Sequence, residues 1–291
     1  LRLMIDAHPQ LRCPGETDFL FEFLEHDEDG EWRYRWNDLA ADRIFRASHV
    51  SRPSGLDGVA ALEAMIDQIP EDGESIPVLM VHRHFERVAE LFPDTRVIHL
   101  KRDPRDVARS CIGMGWAGNV YCGIDRWIST ERAWEAAAGR MAREPMDLYY
   151  ESLITNPDET LRTVCAYIGV EFDAAMLSYP ERTTYSAPDP SLVFQWKRKQ
   201  TREEVGLIEG RLGDMMERYG YERSSYPPVR PGFFRRIQLR ASSKIAVWRG
   251  MSRRYGLATV LQRGIGRRLG LTRMKRSAQA RIDAITVRNL K

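Results

Sequence analysis

Residues 102–110, RDPRDVARS, combine a helix start with a cluster of cations, and such a combination can bind a phosphate. Asp103 has the side chain of a helix N-cap and Pro104 suits the first helical position, so a helix is predicted to begin here. The N–H groups of that helix start, together with the Arg102 guanidinium, would offer hydrogen bonds and positive charge to an anion. The alternative is a solvated basic helix start without a ligand, since charged caps are common.

The residues before Arg102 indicate where this helix start lies. Residues 96–100, RVIHL, form a short apolar run flanked by charge, which predicts a buried parallel strand. Ligands of open α/β sheets collect outside the carboxyl ends of the strands. The sequence therefore places the candidate anion site at the end of a strand.

The rest of the chain resembles the sulfotransferases that use 3'-phosphoadenylyl sulfate. In that family an Arg at the end of a strand and a Ser eight positions later hold the 3'-phosphate of the donor, and Arg102 and Ser110 have this spacing. Residues 149–169, YYESLITNPDETLRTVCAYIG, are similar to the family's next strand and helix, where the Tyr that matches Tyr150 contacts the nucleotide. The resemblance extends from residue 1 to about residue 223 and is closest to the tyrosylprotein and bacterial sulfotransferases.

The resemblance also implies a catalytic base. Residues 6–17, DAHPQLRCPGET, are similar to the segment of tyrosylprotein sulfotransferases that carries the catalytic Glu, and this implies that Glu16 takes the proton of the acceptor hydroxyl. From the residue type alone, the alternative is an N-cap or loop carboxylate that accepts hydrogen bonds from backbone N–H groups.

A second catalytic group is expected after the predicted strand 78–81, where the family has a Lys or a His. Here the chain has His82, Arg83 and His84. Arg83 is implied as a donor to the sulfuryl oxygens, and either His84 or His82 as an acid or base. A metal site on the two histidines is an alternative that lacks a third ligand nearby, and we predict no metal. One buried and one exposed structural His is another alternative.

Two further positions differ from the tyrosylprotein pattern. Met114 stands where that family has an extra Arg, and Gln195 stands where it has a Lys before the Trp of its last nucleotide-binding loop. The resemblance implies that Lys197 and Lys199 supply the missing charge, with Ser186 as a donor from the loop. These differences leave the class of the acceptor open.

The start of the chain lacks a feature that the resemblance requires. Leu1, Met4 and Ile5 are apolar at helical spacing, so the chain opens within a predicted helix. In the family this helix follows a first strand and a Pro-Arg/Lys-Ser-Gly-Thr-Thr loop, whose N–H groups cradle the 5'-phosphosulfate. Because no such loop precedes a helix in the sequence, we expect an N-terminally truncated piece that lacks the first strand and is inactive without its phosphate loop.

The order of predicted elements indicates the fold class. Strands alternate with helices in the predicted sulfotransferase domain, residues 1–223, which predicts right-handed crossovers and a parallel sheet. The resemblance implies an α/β fold of three layers with helices on both faces, as in P-loop nucleotide kinases. Residues 224–232 form a Pro-rich linker. In residues 233–291, Arg alternates with apolar residues in two or three predicted amphipathic helices.

The net charge of +3 hides a sharp division along the chain. Residues 1–230 carry 28 basic and 40 acidic side chains, whereas residues 231–291 carry 16 basic side chains and one acid. The tail is therefore expected to dock on the acidic body, to lie on an anionic membrane surface, to bind nucleic acid or to be disordered. Nucleic acid is the unfavoured partner because no nucleic-acid motif is present. The 4 cysteines form no C-x-x-C pair, so we expect reduced thiols and a cytoplasmic protein, peripheral at the membrane if the tail binds there.

Together these observations predict an enzyme that transfers a sulfuryl group from 3'-phosphoadenylyl sulfate to a hydroxyl-bearing acceptor without a metal. Two alternatives stay open. One is a small-molecule kinase of related fold, and the other is a nucleotide-binding adaptor without turnover.

Overall fold

The structure, a computed structural model, describes residues 1–181 and 183–289, so residues 290 and 291 of the predicted tail lie outside the described residues. The strands are β1 (Leu11–Arg12), β2 (Leu24–His26), β3 (Trp32–Tyr34), β4 (Ile76–Pro77), β5 (Ile98–Lys101) and β6 (Met146–Tyr149). The first helices are α1 (Arg2–Asp6), α2 (Phe19–Glu22), α3 (Trp36–Leu39), α4 (Arg43–Ala47), α5 (Gly58–Ile66), α6 (Phe85–Leu91), α7 (Pro104–Gly113) and α8 (Val120–Ala138). The later helices are α9 (Tyr150–Thr155), α10 (Pro157–Ile168), α11 (Trp196–Lys199), α12 (Arg202–Leu212), α13 (Met215–Arg218), α14 (Phe233–Tyr255), α15 (Leu257–Arg268) and α16 (Thr272–Asn289).

The chain divides into two compact units. The first comprises Leu1–Arg102 and Ser129–Val193, and the second comprises Asp103–Ile128 and Phe194–Lys291. The linker at residues 224–232 lies within the second unit, and the domain boundary placed there from the sequence stays a prediction.

Two parallel ladders position the strand ends of the first unit. β1 pairs with β4, and an isolated parallel bridge between Glu16 and Met80 continues this ladder toward the carboxyl ends. β5 pairs with β6 so that Lys101 lies opposite Tyr149. β2 and β3 form an antiparallel pair. The predicted α/β class with parallel pairing is thus confirmed, as two-stranded ladders in the described residues.

Three predicted element boundaries are wrong. The strand predicted at 78–81 lies at Ile76–Pro77, because the ladder bonds to β1 begin at the Ile76 amide, which donates to the Gln10 carbonyl. The sequence also predicts a long helix from about Ile124 to Met141; it begins four residues earlier, at Val120, and ends at Ala138. Apolar residues at helical spacing predict one closing helix from Arg202 to Tyr219. It is interrupted at Gly213, whose φ of 58° takes the backbone out of the right-handed helix, so α12 and α13 are separate.

Apolar residues from both sides of the ladders form the cores of the first unit. One core joins the segment around α2 to α5 and contains Phe19, Leu20, Phe21, Leu24, Tyr34, Leu39, Val50, Ala61, Leu62, Met65 and Ile69. The other joins β1 to α9 and α10 and contains Met4, Ile5, Leu11, Cys13, Leu153, Leu161, Cys165, Met176 and Tyr179. Burial of these side chains fixes the carboxyl ends of β1 and β4 above the core.

Helices make up the second unit. α12 begins with a capping box, in which Thr201 accepts from the Glu204 amide and the Glu204 carboxylate accepts from the Thr201 amide. The linker runs along α12, where the Val229 amide donates to the Gly206 carbonyl at 2.8 Å. The described part of the tail contains α14, α15 and α16. Within the described ranges, every helix is too short or too polar to cross a membrane.

Candidate active site

Glu16 lies where the β1–β4 ladder ends. The chain leaves β1 through Pro14 and Gly15, whose φ of 142° suits glycine, and the bridge to Met80 then fixes the Glu16 backbone. The side chain is exposed, and no backbone N–H in the described part of the chain donates to its carboxylate. The alternative of a capping carboxylate therefore has no support from the hydrogen bonds of the described residues.

An open cleft lies beside Glu16. Its volume is about 380 Å³ and its wall is mostly apolar. The lining residues are Pro14, Gly15, Glu16, Thr17, Phe19, Ile44, Ala47, Ser48, His49, Val50 and Ile69. A carboxylate at the edge of such a cleft can reach a proton on a ligand that places its apolar part inside.

Asp18 and His82 form a hydrogen-bonded pair at the same strand end, and sequence reasoning missed it. The buried Asp18 carboxylate accepts from the His82 amide at 2.8 Å and from the His82 ring at Nδ1, at 2.9 Å. The ring hydrogen bond to Asp18 raises the pKa of His82, and the charge of Glu16 raises it further. Burial opposes ionisation of Asp18, but the two hydrogen bonds from His82 leave its pKa below the ordinary value. The available signal was a short polar residue, Asp18, directly before the apolar start of α2.

Arg83 and His84 follow His82 but have other partners. Arg83 forms an ion pair with Glu22, with Nη2 at 2.6 Å from Oε2. His84 is the N-cap residue of α6 and has a left-handed backbone, with φ of 61°. Burial, followed by the charge of Arg87, lowers the pKa of His84. His82 is thus the member of this trio with a raised pKa, and the predicted roles of Arg83 and His84 stay predictions.

Arg102 and Tyr150 meet at the end of the second ladder. They directly follow Lys101 and Tyr149, which lie opposite each other in the parallel register. The Arg102 guanidinium carbon lies 4.3 Å from the centroid of the Tyr150 ring. The register alone brings together these two residues, which sequence reasoning assigned to one nucleotide.

Tyr179 connects Ser186 to this part of the first unit. Its hydroxyl donates to the Ser186 carbonyl at 2.8 Å, while the Ser186 side chain is in an exposed loop. Burial, followed by the neighbouring Tyr150 hydroxyl, raises the pKa of Tyr179. Tyr150 and Ser186 are therefore both close to one buried tyrosine, which was not singled out in the sequence.

The second unit contains the start of α7. Asp103 caps this helix, accepting from the Arg105 amide at 2.9 Å, as the sequence predicted. The buried Asp103 carboxylate also accepts from the Arg105 guanidinium at 2.7 Å and from the Trp196 indole at 3.0 Å. Arg105 donates in turn to the buried Glu209 at 2.9 Å. Charge at this helix start is therefore used partly for an internal network.

This network holds the segment that carries Lys197 and Lys199. The Asp106 carboxylate accepts from the Trp196 backbone amide at 2.7 Å, and the Gln200 side-chain amide donates to the Arg105 backbone carbonyl at 2.7 Å. Both lysines are exposed; Lys199 bonds the Gln195 side chain, and the Lys197 ammonium lies 5.0 Å from the centroid of the Phe194 ring.

Ser110 is exposed on α7 in the second unit, whereas Arg102 ends the first unit. The paired action of Arg102 and Ser110 on one phosphate stays a prediction. In the described residues no group of three or more His, Cys, Asp or Glu side chains is arranged to hold a metal.

Comparison with known sequences places these strand ends in a family context. The profile of the sulfotransferase family matches residues 1–174. A putative protein-tyrosine sulfotransferase of Caenorhabditis briggsae is 26% identical over 194 residues, which cover 62% of this chain and 64% of that protein. The protein-tyrosine sulfotransferase of Drosophila melanogaster is 23% identical over 194 residues, or 62% of this chain and 37% of that protein.

A bacterial relative shows a similar level of identity. The omega-hydroxy-beta-dihydromenaquinone-9 sulfotransferase Stf3 of Mycobacterium tuberculosis (strain CDC 1551 / Oshkosh) is 27% identical over 156 residues, covering 48% of this chain and 39% of that protein. The chain thus spans between 37% and 64% of the length of these three relatives.

Two solved structures have the same fold. The sulfotransferase domain from the curacin biosynthetic pathway has a TM-score of 0.56 and 16% identity, and the match covers 77% of this chain and 93% of that domain. The sulfotransferase domain from the Synechococcus PCC 7002 olefin synthase has a TM-score of 0.51 and 18% identity, with 76% and 90% covered. At these identities the similarity shows the fold alone.

Proposed function

Because its profile matches residues 1–174 of the 291, the chain belongs to the sulfotransferase family, and we propose that the full-length protein transfers a sulfuryl group from 3'-phosphoadenylyl sulfate to an acceptor hydroxyl. The observation that supports this most directly is the position of Glu16. It lies in the matched segment, at the carboxyl end of a parallel ladder and at the edge of an open cleft. Ligands of α/β proteins bind at such strand ends.

In the proposed step the acceptor oxygen forms a bond to sulfur, while the bond between sulfur and the bridging phosphate oxygen breaks. The proton of the acceptor hydroxyl passes to a carboxylate oxygen of Glu16. Adenosine 3',5'-bisphosphate leaves with the electron pair of the broken bond. Because Glu16 accepts no backbone hydrogen bond in the described residues, its carboxylate can take the proton without breaking one.

His82 is proposed to stabilise the negative charge that develops during transfer. Asp18 uses the Nδ1 side of the ring, so Nε2 is the nitrogen that can donate to a sulfuryl or bridging oxygen. The raised pKa of His82 favours the protonated form of the ring, and a cation is suited to that task. Asp18 is a positioning residue in this proposal, because it acts through the His82 ring.

The donor nucleotide is proposed to lie at the end of the second ladder. Arg102 supplies a guanidinium for the 3'-phosphate, and Tyr150 supports that guanidinium through its ring. Ser110, Lys197 and Lys199 are proposed as further anion contacts because their exposed side chains offer a hydroxyl and two ammonium groups. No metal is part of this step.

The acceptor is proposed to be a hydroxyl on an apolar group. Phe19, Ile44, Val50 and Ile69 form much of the cleft wall beside Glu16, so the cleft favours an apolar body. A phenol or a long-chain alcohol fits this chemistry, whereas a highly charged sugar does not.

A transfer assay on the full-length gene product tests the proposal. Purified protein is incubated with sulfur-labelled donor and a panel of phenols, alkyl alcohols and sugars, and labelled product is separated and counted. We expect transfer to a phenol or alkyl alcohol, and Glu16→Gln is expected to lower turnover by about a hundredfold or more while donor affinity barely changes. A Glu16→Gln enzyme with near-full turnover would refute the base assignment.

Calorimetry with nucleotides distinguishes a sulfotransferase from the two alternatives, a small-molecule kinase and a nucleotide-binding adaptor. We expect adenosine 3',5'-bisphosphate to bind more tightly than ATP, and the reverse order would favour a kinase. Tight binding of the bisphosphate without turnover of any acceptor would favour a nucleotide-binding adaptor.

A further inference from the structure

The longest helix of the tail has two opposite faces. One face of α14 packs inside the second unit. The buried Leu239 contacts Tyr121 and Leu207, and the buried Ser243 hydroxyl accepts from the Gly118 amide at 2.8 Å. This face of α14 therefore packs on the chain's own residues, and these contacts fix the orientation of α14 in its unit.

The other face of α14 is apolar and exposed to solvent. At about 100° per residue, its members fall within an arc of about 80° on the side away from Leu239 and Ser243. The members are Phe234, Ile237, Ala241, Ile245 and Trp248. Phe234 is 84% exposed and Trp248 is 45% exposed. An exposed apolar face of this kind marks an interaction surface.

Basic residues border this apolar face on both sides. On the same helical projection, Arg240 and Lys244 lie along one edge, and Arg249 lies along the other. α14 contains no acidic residue, and Asp283 is the single acid of residues 231–291. Long cationic side chains beside an apolar face can bury their stems and keep their charges at the level of lipid phosphates.

α15 repeats the pattern on a smaller scale. Leu257, Leu261 and Ile265 are exposed and four residues apart, so they form one stripe along the helix. The opposite side of α15 is covered, because Thr259 and Gly266 are buried there and α15 packs against α16, in which Ala278 and Ile282 are also buried. The exposed stripe of α15 therefore takes no part in the packing of the tail helices.

We propose that the outer faces of α14 and α15 bind the surface of an anionic lipid membrane. An apolar face flanked by cations lies in the plane of the lipid interface, with its large side chains among the acyl chains and its arginines at the headgroups. Nucleic acid would match only the charges, since it has no place for Phe234 and Ile245, and a second copy of the chain would bring the same positive charges against each other. This proposal is independent of the proposed catalytic function.

Vesicle binding of the full-length protein tests the proposal. Binding is measured by co-sedimentation with phosphatidylcholine vesicles that either contain or lack phosphatidylserine, at low and high salt. We expect binding that requires phosphatidylserine and weakens with salt. Emission of Trp248 should be quenched by brominated lipid, and Trp248→Phe should remove that part of the quenching.

Matched variants separate the contributions of charge and apolar contact. Arg240→Gln with Arg249→Gln should weaken binding about 25-fold, at about fivefold per basic residue. The control, Arg132→Gln with Arg143→Gln, removes two exposed arginines of the first unit and should leave binding unchanged.

The apolar half has its own variant, Ile245→Gln with Ile265→Gln, which should weaken binding at least tenfold and retain the salt dependence. All these side chains are exposed, so thermal unfolding should be unaffected.

Three outcomes would overturn the proposal. The first is an equal loss in the Arg132 and Arg143 control. The second is tight binding to duplex nucleic acid with none to vesicles. The third is a concentration-dependent dimer that the Ile245 and Ile265 variant abolishes while vesicle binding stays intact, because the apolar faces would then cover a second copy of the chain.

Discussion

Replacing Arg105 with Met is expected to break the buried network of the second unit. Arg105 is 3% exposed, and its guanidinium donates to Asp103 at 3.0 and 2.7 Å and to Glu209 at 2.9 Å. The guanidinium carbon also lies 3.7 Å from the centroid of the Trp196 ring. Met fills a similar volume but leaves two buried carboxylates without their cation.

The magnitude follows from what each carboxylate keeps. Removing one partner of a buried ion pair costs about 3–5 kcal/mol. Asp103 retains the bond from the Trp196 indole at 3.0 Å, and Glu209 retains the bond from the Ser224 amide at 3.0 Å. These remaining bonds place the expected loss near the lower end, at about 3 kcal/mol. Arg105→Lys should also destabilise, because an ammonium cannot donate along the fixed fork that reaches both carboxylates.

Urea unfolding followed by circular dichroism measures the loss as a lower midpoint at unchanged slope. Arg109→Met is the matched control, because Arg109 is exposed on the same helix and should change stability by less than about 0.5 kcal/mol. Combining Arg105→Met with Glu209→Met should restore part of the loss, since one buried charge is removed. A loss below about 1 kcal/mol for Arg105→Met would refute the reasoning.

Three further predictions concern other sites. Arg102→Ala should weaken adenosine 3',5'-bisphosphate by about 2–4 kcal/mol in calorimetry, because a charge-assisted phosphate contact is lost. The hydrogen bond to Asp18 raises the pKa of His82, so its stabilisation is present below the ordinary pKa of 6.5 and is lost as the pH rises through the raised value. His82→Gln should therefore flatten the dependence of Tm on pH between 6.5 and the raised pKa of His82. Gly210→Ala should destabilise the protein in urea, because a Cβ there would come 2.2 Å from the Val229 carbonyl oxygen.

Each of these predictions has a control. Adenosine 5'-phosphate lacks the 3'-phosphate, so equal losses for both nucleotides would mean that Arg102 is assigned wrongly. His26→Gln changes a largely exposed histidine of another strand, and an equal flattening there would exclude the pair with Asp18 as the cause. Gly139→Ala has open space around its Cβ, so a loss as large as for Gly210→Ala would contradict the contact argument.

Local signals in the sequence were sufficient for much of the fold. Asp103 caps α7 and Pro104 opens it, as predicted, because capping depends on a few neighbouring residues. The alternation of strands and helices indicated the parallel pairing. The alternation of Arg with apolar residues after residue 232 predicted amphipathic tail helices, and the described part of the tail contains α14, α15 and α16. These features depend on composition, periodicity and short-range hydrogen bonds.

The candidate site was only partly predictable. Glu16 and Arg102 were named from motif and spacing, and parallel register brings Tyr150 against Arg102. The pairing of Asp18 with His82 was missed, because 64 residues separate them and the contacts of Glu16 and Thr17 with Met80 bring them together.

The sequence by itself determined the motifs around Glu16 and Arg102, the helix starts and the charge of the tail. Each of these depends on adjacent or periodically spaced residues. The tertiary structure decided which charges are used internally. Arg105 and Asp103 belong to the same basic segment as Arg102, yet they are buried with Glu209 from α12. It also decided which face of α14 is buried, because the residues that cover Leu239 come from segments far away in the chain. Such choices depend on long-range packing, which no local pattern encodes.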